Sequence, residues 1–250
     1  MSIDADRIIA IRTDKIVYRD GNTVLKVFDP SYSTADIFNE ALNQARIEET
    51  GFPVPKIMEI LKLDGKWAIR REYAEGTTLQ RLMRERPAER ERFLDLFTDV
   101  QRDIFALKAK QLNRQKHKLA QRIARAPIPE EQRELLLENL FTLPDGSATL
   151  HGDFIPSNLV LLPQGGYSVL DWTHVTEGNE HEDVARTYLQ LLRQFNEGMA
   201  ERYLALYLSK SGARRADVVA WMALATVALL VLCRPSERGF YLNKLNQYMP

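Results

Sequence analysis

Apolar positions in the first third of the chain fall in short runs of β-forming residues rather than at helical spacing. Residues 8–12, 15–18 and 23–28 predict strands, with the turn-forming Asp20-Gly21-Asn22 joining the second to the third. Ser33-Thr34-Ala35-Asp36 has the form of a capping box, and the pattern continues as a helix over residues 37–49. Gly51 and the prolines of Phe52-Pro53-Val54-Pro55 stop that helix. Two further strands are predicted over residues 56–63 and 66–72, around Asp64-Gly65. A five-stranded antiparallel sheet carrying one helix is the economical assembly.

From Thr77 onward helical spacing takes over. Thr77 or Thr78 caps a helix to about Arg86, Pro87 breaks it, and amphipathic stretches span residues 88–109 and 130–140. A short β-rich interlude follows Leu150, and after Glu182 the chain reads as helical almost to its end. The change of pattern at Ala74-Glu75-Gly76 predicts two parts, residues 1–74 and 75–250.

Composition narrows the class. A hydrophobic fraction of 45% and a charged fraction of 27% are ordinary for a globular protein. The 34 basic and 34 acidic side chains cancel, which argues against a nucleic-acid partner. Cys233 is the sole cysteine, so no intrachain disulfide forms, and its apolar surroundings predict a buried, inert thiol. The N-terminal Met-Ser-Ile-Asp-Ala-Asp-Arg has no apolar core and predicts no secretory signal. Residues 218–233 are apolar but fall short of the ~20 that a bilayer needs. Asp217 and Arg234 bracket them, so a buried core helix is expected, with no membrane partner and a cytoplasmic location. His117, His174 and His181 lack metal-ligand spacing, and no zinc is expected. Trp172, Trp221 and Tyr241 are expected in the core rather than in a pocket.

The chemistry concentrates in Leu150-His151-Gly152-Asp153-Phe154-Ile155-Pro156-Ser157-Asn158 and the following Leu170-Asp171-Trp172. Residues 159–162 and 167–170 are apolar runs separated by Pro163-Gln164-Gly165-Gly166, the pattern of a β-hairpin with a four-residue loop. Pairing Leu162 with Tyr167 sets Asn158 opposite Asp171. Cross-strand Cβ atoms lie about 5 Å apart, within reach of one cation. A carboxylate and an amide carbonyl are hard oxygen donors suited to Mg²⁺. Asp153 lies just upstream, on the loop feeding the hairpin, where it meets an incoming hydroxyl.

Asp153 and Asn158 have the D-x-x-x-x-N spacing of the kinase catalytic loop, and Asp171 stands where kinases have their magnesium aspartate. With His-Gly-Asp in place of His-Arg-Asp, and Asp-Trp in place of Asp-Phe-Gly, the chain resembles the aminoglycoside phosphotransferase and choline kinase branch of the kinase-like fold. The resemblance implies an α+β, two-lobed architecture: a small antiparallel N-lobe with one helix and a mainly helical C-lobe that holds the acceptor. It implies that Asp153 positions the substrate hydroxyl and accepts its proton, and that Asn158 and Asp171 hold Mg²⁺. Lys26, a cation in the apolar strand Val24-Leu25-Lys26-Val27-Phe28, becomes the ligand of the ATP α- and β-phosphates, held by Glu40 on the next helix. The backbone carbonyl near Glu72 and the amide near Ala74, in Glu72-Tyr73-Ala74-Glu75-Gly76, become the contacts to the adenine edge. Asp183 becomes the helix-borne aspartate beneath the catalytic loop. His151 organises that loop rather than serving as the base.

One feature departs from the kinase pattern. The turn Arg12-Thr13-Asp14-Lys15 stands where protein kinases carry a glycine-rich loop, and it contains no glycine. Thr13 and Lys15 are the side chains at hand for phosphate. The resemblance predicts an ATP- or GTP-dependent, Mg²⁺-requiring kinase acting on a hydroxyl of a small molecule such as an aminoglycoside, another antibiotic, an amino alcohol or a sugar. Glu177, Glu180, Glu182, Glu197 and Glu201 favour an amine-bearing acceptor if they face a cleft. The alternative is a catalytically silent nucleotide-binding module, a pseudokinase, for which the glycine-free turn is the motive.

Overall fold

In a computed structural model of the chain, residues 8–11 and 14–249 are described; Arg12 and Thr13, half of the glycine-free turn, lie outside them. Strands β1 (Ile8–Ile11), β2 (Lys15–Asp20) and β3 (Thr23–Phe28) run antiparallel. Gly21, at φ 60°, lets the chain reverse between β2 and β3, and the Thr23 hydroxyl donates to the Asp20 carbonyl across the turn. Helix α1 (Thr34–Glu48) begins directly after Ser33, where the capping box placed its start, and ends one residue before the expected Glu49. Ser33 is its N-cap, accepting the Asp36 N–H at 3.4 Å. Strands β4 (Ile57–Leu63) and β5 (Lys66–Glu72) close the expected five-stranded sheet in the order β1-β2-β3-β5-β4. Asp64 and Gly65 both adopt positive φ between the paired Leu63 and Lys66, as a two-residue hairpin turn requires.

The chain continues through β6 (Thr77–Thr78) and α2 (Leu79–Glu85), where Thr78 rather than Thr77 accepts the first-turn N–H of Arg81. Helices α3 (Arg90–Ala106), α4 (Gln115–Arg125) and α5 (Glu130–Thr142) follow, α4 without having been singled out by its pattern. Short strands β7 (Ala148–Leu150), β8 (Leu159–Leu161), β9 (Tyr167–Val169) and β10 (Thr176–Gly178) form the interlude, with β6-β8-β9 in one sheet and β10-β7 in another. The chain ends in α6 (Glu180–Gln194), α7 (Glu197–Ser211), α8 (Arg215–Val219), α9 (Met222–Leu232) and α10 (Arg238–Tyr248). An antiparallel sheet followed by a mostly helical remainder is the α+β class expected.

Two compact units emerge, and they are not a simple cut at residue 74. The first holds the chain up to Leu82 together with Ser157–His174; the second holds residues 83–156 and those from Val175 onward. Local pairing explains the first grouping, since β8 pairs with β6 and α1 packs against the turn Trp172–His174. In the second unit α9 is the central element, packed by α4, α6 and α10, and every residue from Met222 to Leu230 is buried. The apolar run is therefore core, as expected, although it is split into α8 and α9 at Ala220 and Trp221. Cys233, at its end, is only half-buried. Trp172, Trp221 and Tyr241 are all buried.

The packing of β6 against β8 leaves no room at Gly76. A Cβ there would run into the Leu161 carbonyl oxygen and come within 2.8 Å of the Val160 side chain. Because backbone is the obstacle, Gly76→Ala is expected to destabilise the protein by about 1–3 kcal/mol. Gly239→Ala, where a Cβ meets nothing within 4 Å, serves as the comparison. Equal midpoints for the two variants in urea denaturation would refute the tight approach of β6 to β8.

Candidate active site

The first unit carries a buried charge cluster. Lys26 lies on β3 with its side chain 3% exposed, and its ammonium forms an ion pair with Glu40 of α1 and another, at 3.2 Å, with Asp171. Both carboxylates are needed. Burial opposes the Lys26 charge, but Asp171 and Glu40 outweigh it and hold the ammonium above its ordinary pKa. Burial likewise opposes ionisation of Asp171, yet Lys26, Lys15 and the Thr173 hydroxyl hold its carboxyl well below the usual range. Thr173 donates to Asp171 Oδ1 at 2.6 Å, and its own carbonyl accepts the Asn43 side-chain N–H at 3.3 Å. Asn43 sits one turn beyond Glu40 on α1, so the network closes back on the helix it starts from.

Asp171 is ionised, 34% exposed and in the left-handed region at φ 61°. That conformation costs a residue with a Cβ about 1–3 kcal/mol, although aspartate tolerates it better than most. Among the described residues the bonds to Asp171 from Lys26 and Thr173 both end on Oδ1, which leaves Oδ2 able to take an external cation. A hard carboxylate oxygen on a partly exposed, ionised group fits Mg²⁺ that retains water and phosphate ligands.

Asn158 ends the short helical turn Pro156–Asn158, and here the expected hairpin register is corrected. Leu159 pairs with Val169 and Leu161 with Tyr167, and the Leu170 N–H donates to the Asn158 carbonyl at 2.8 Å. Asn158 therefore lies opposite Leu170, and Asp171 falls one step beyond. The glycines are the cause. Gly165 and Gly166 both take positive φ, the Leu162 N–H bonds the Gly166 carbonyl, and the loop shortens to three residues. The two side chains thus do not face each other across a regular ladder; the left-handed turn at Asp171 sets its direction instead.

At the expected adenine edge, the Glu72 carboxylate accepts the Lys56 N–H at 3.1 Å and the Tyr73 N–H donates to the Asn22 carbonyl at 2.9 Å. These bonds pin the strand end that leads to Ala74.

The second unit carries Asp153, on a loop gripped by one face of α6. Asp183 accepts the Gly152 N–H at 2.7 Å, Arg186 donates to the Gly152 carbonyl at 3.1 Å, and Thr187 donates to the Phe154 carbonyl at 3.0 Å. Gln190, two turns beyond Asp183, donates to Asp153 Oδ1 at 2.6 Å. Gly152 sits at φ 78°, a conformation natural to glycine. His151 is fully buried, and its Nδ1 accepts the Asp153 N–H at 3.2 Å, the organising role expected of it. Burial, helped by the neighbouring Glu182 charge, pushes the Asp183 carboxyl up to about 6. Arg122 on α4 is driven down to about 9 by burial and the Arg186 charge, against the pull of Glu182 and Asp153.

Sequence reasoning missed Gln190, Arg186 and Thr187. The available signal was their i, i+3, i+4 and i+7 spacing from Asp183 on a helix whose inner face is polar. The acidic side chains expected to meet an amine are mostly occupied. Glu177 pairs with Arg114, Glu180 accepts the Tyr207 hydroxyl, Glu182 pairs with Arg186, and Glu201 is held by Arg215 and Tyr188. Arginines thus neutralise Glu177, Glu182 and Glu201, whereas the Tyr207 hydroxyl leaves the Glu180 charge in place.

Comparison with known proteins agrees with this architecture. The structure of a thermostable mutant of aminoglycoside phosphotransferase APH(4)-Ia matches with a TM-score of 0.75 and 15% identity, over 97% of this chain and 92% of that one. A ternary complex of such a thermostable mutant with ADP and hygromycin B matches at 0.73 and 14%, with the same coverage. Choline kinase LicA from Streptococcus pneumoniae matches at 0.66 and 16%, over 97% of this chain and 90% of that one. No curated protein matches the sequence significantly. At these identities the structural neighbours establish the kinase-like fold. The sequence profile of the phosphotransferase enzyme family extends further, matching residues 12–219, and on that match the chain belongs to the APH phosphotransferase family.

Proposed function

We propose that this phosphotransferase moves the γ-phosphate of ATP or GTP, in the presence of Mg²⁺, onto a hydroxyl group of a small molecule. The observation that carries the proposal is the buried Lys26, paired with Glu40 and with an ionised, partly exposed Asp171. A silent nucleotide-binding module has no need to maintain that cluster together with Asp153 and Asn158, and this weighs against the pseudokinase alternative.

In the proposed mechanism Lys26 binds the α- and β-phosphates, and Glu40 fixes the ammonium. The backbone near Glu72 and Ala74 holds the adenine edge. Asn158 and Asp171 hold Mg²⁺, whose chemistry when bound is neutralisation of charge on the phosphate oxygens. Gln190 orients the Asp153 carboxylate through its bond to Oδ1. Asp153 aligns the acceptor hydroxyl and takes its proton as the oxygen bonds to the γ-phosphorus. The bond from that phosphorus to the β,γ-bridging oxygen breaks, and the nucleoside diphosphate leaves. Hygromycin B and choline, named for the structural neighbours, make aminoglycosides and amino alcohols the first acceptors to try. A phosphoryl-transfer screen over these, neutral sugars and other hydroxylated metabolites tests the proposal; absence of both transfer and Mg²⁺-dependent ATP hydrolysis would count for the pseudokinase.

Two substitutions separate the roles. Asp153→Asn keeps the shape of the side chain but removes the proton acceptor. Transfer is expected to fall by about 10²-fold or more while nucleotide affinity stays close to wild type. Steady-state turnover near wild type would take Asp153 out of the mechanism.

Asp171→Ala removes both a charge and a donor oxygen, whereas Asn158→Ala removes only a neutral donor. Mg²⁺-dependent nucleotide binding, followed by titration calorimetry, is therefore expected to suffer more in Asp171→Ala. Small and equal losses in the two variants would rule out a shared metal.

A further inference from the structure

Lys15 opens β2 directly after the glycine-free turn. It pairs with Phe28, and Val17 pairs with Lys26. Opposite residues in an antiparallel pair share a face, as do alternate residues on one strand, so Lys15 and Lys26 project from the same face of the sheet. They are diagonal neighbours, with Cβ atoms about 7–8 Å apart by the geometry of such pairs. Their ammonium groups lie over adjacent rings, Lys15 over Tyr32 and Lys26 over Phe28, each 5.8 Å from the centroid. Those rings are themselves 5.1 Å apart.

The two lysines differ in what neutralises them. Lys26 is spoken for by Glu40 and Asp171. Among the described residues Lys15 makes no hydrogen bond or ion pair, and its ring contact with Tyr32 is a weak substitute. Burial, and then the charge of Lys26, lower the Lys15 pKa against the opposing pull of Asp171, Glu40 and Asp14. A half-buried ammonium placed beside a second ammonium is unfavourable in the free protein. A polyanion lying along that face would supply the counter-charge that Lys15 lacks among the described residues.

Resting on the nucleotide-dependent reading above, we propose that Lys15 is a second phosphate-binding residue. It grips the β-phosphate of the donor nucleotide beside Lys26 and replaces, with a side-chain ammonium, the backbone N–H groups that a glycine-rich turn would offer. The ligand it selects is a nucleoside di- or triphosphate rather than a nucleoside.

The test compares adenosine, ADP and ATP, each titrated with Mg²⁺ into the full chain and into Lys15→Met and Lys15→Arg. Losing a charge-assisted contact is expected to weaken ADP and ATP about tenfold or more in Lys15→Met. Adenosine is expected to bind all three proteins alike, which also reports that the variants are folded, and Lys15→Arg to recover most of the loss. If ADP and ATP bind Lys15→Met as tightly as wild type, or if adenosine weakens in parallel with them, the assignment of Lys15 to phosphate is overturned and the kinase reading stands. If wild type itself binds neither ATP nor GTP, the kinase reading fails and takes this inference with it.

Discussion

A buried ammonium has to be neutralised where it sits, because removing an unpaired charge from water costs several kcal/mol. Lys26 imposes that constraint on the whole first unit. It occupies β3, one carboxylate comes from α1 and the other from the residue that follows β9 by two positions. Three stretches distant in sequence must therefore meet. The bonds run from Glu40 to Lys26, Asp171 and Thr173 and return to α1 at Asn43. A closed circuit of this kind fixes the position of α1 against the sheet more narrowly than apolar packing alone, since its bonds form together in one arrangement, although Glu40 Oε2 and Asn43 Oδ1 stay buried without a partner among the described residues. It also keeps Asp171 ionised and aimed, with its second oxygen unused.

The second unit solves a different problem, holding a loop rather than a charge. Helix α6 is buried along a face that carries Asp183, Arg186, Thr187 and Gln190. Three of the four side chains bond the backbone of Gly152 and Phe154, so the loop is gripped by its peptide groups. Gln190 instead donates to the side chain of Asp153. A polar stripe inside a core is costly unless every member finds a partner. Here Arg186 meets that condition with Glu182 as well as with Gly152, and Gln101 joins Asp183. The result is a carboxylate, that of Asp153, whose Oδ1 is held by Gln190 on a loop fixed from beneath.

Much of this was legible in the sequence. A lysine in an otherwise apolar strand announces a partner, and Glu40 stood in the right part of the following helix. His151, Gly152, Asp153 and Asn158 stood out by spacing as candidates, and the five-stranded sheet by its turns. The hairpin register was not legible, because two adjacent glycines leave the loop length open and a change of one residue moves every pairing. The unit boundary was obscured for a related reason: Ser157–His174 joins the first unit through strand pairing of β8 with the two-residue β6, a feature too short to leave a pattern. Among the glutamates after Asp171, neutralisation by the nearby Arg186 was legible and Glu182 shows it, but the partners of Glu177 and Glu180 were not, since Arg114 and Tyr207 lie far off in sequence.

The glycine-free turn then acquires a physical explanation. Backbone N–H groups hold phosphate well only where the chain folds tightly around it, which requires glycine because a Cβ blocks both the conformation and the approach. Lysine needs neither. A strand residue with a long, flexible stem delivers its charge from a backbone position set by the ladder, here the pairing of Lys15 with Phe28. The Lys15 ammonium lies over the Tyr32 ring, 5.8 Å from its centroid, and the charge of Lys26 opposes its own. On the proposal made above, what a glycine-rich turn would achieve through backbone freedom falls to a second cation on the same sheet face. Such an arrangement would bind charge rather than shape, so discrimination against nucleosides without phosphates would fall to the lysine pair, and discrimination among bases to the proposed backbone contacts beyond β5.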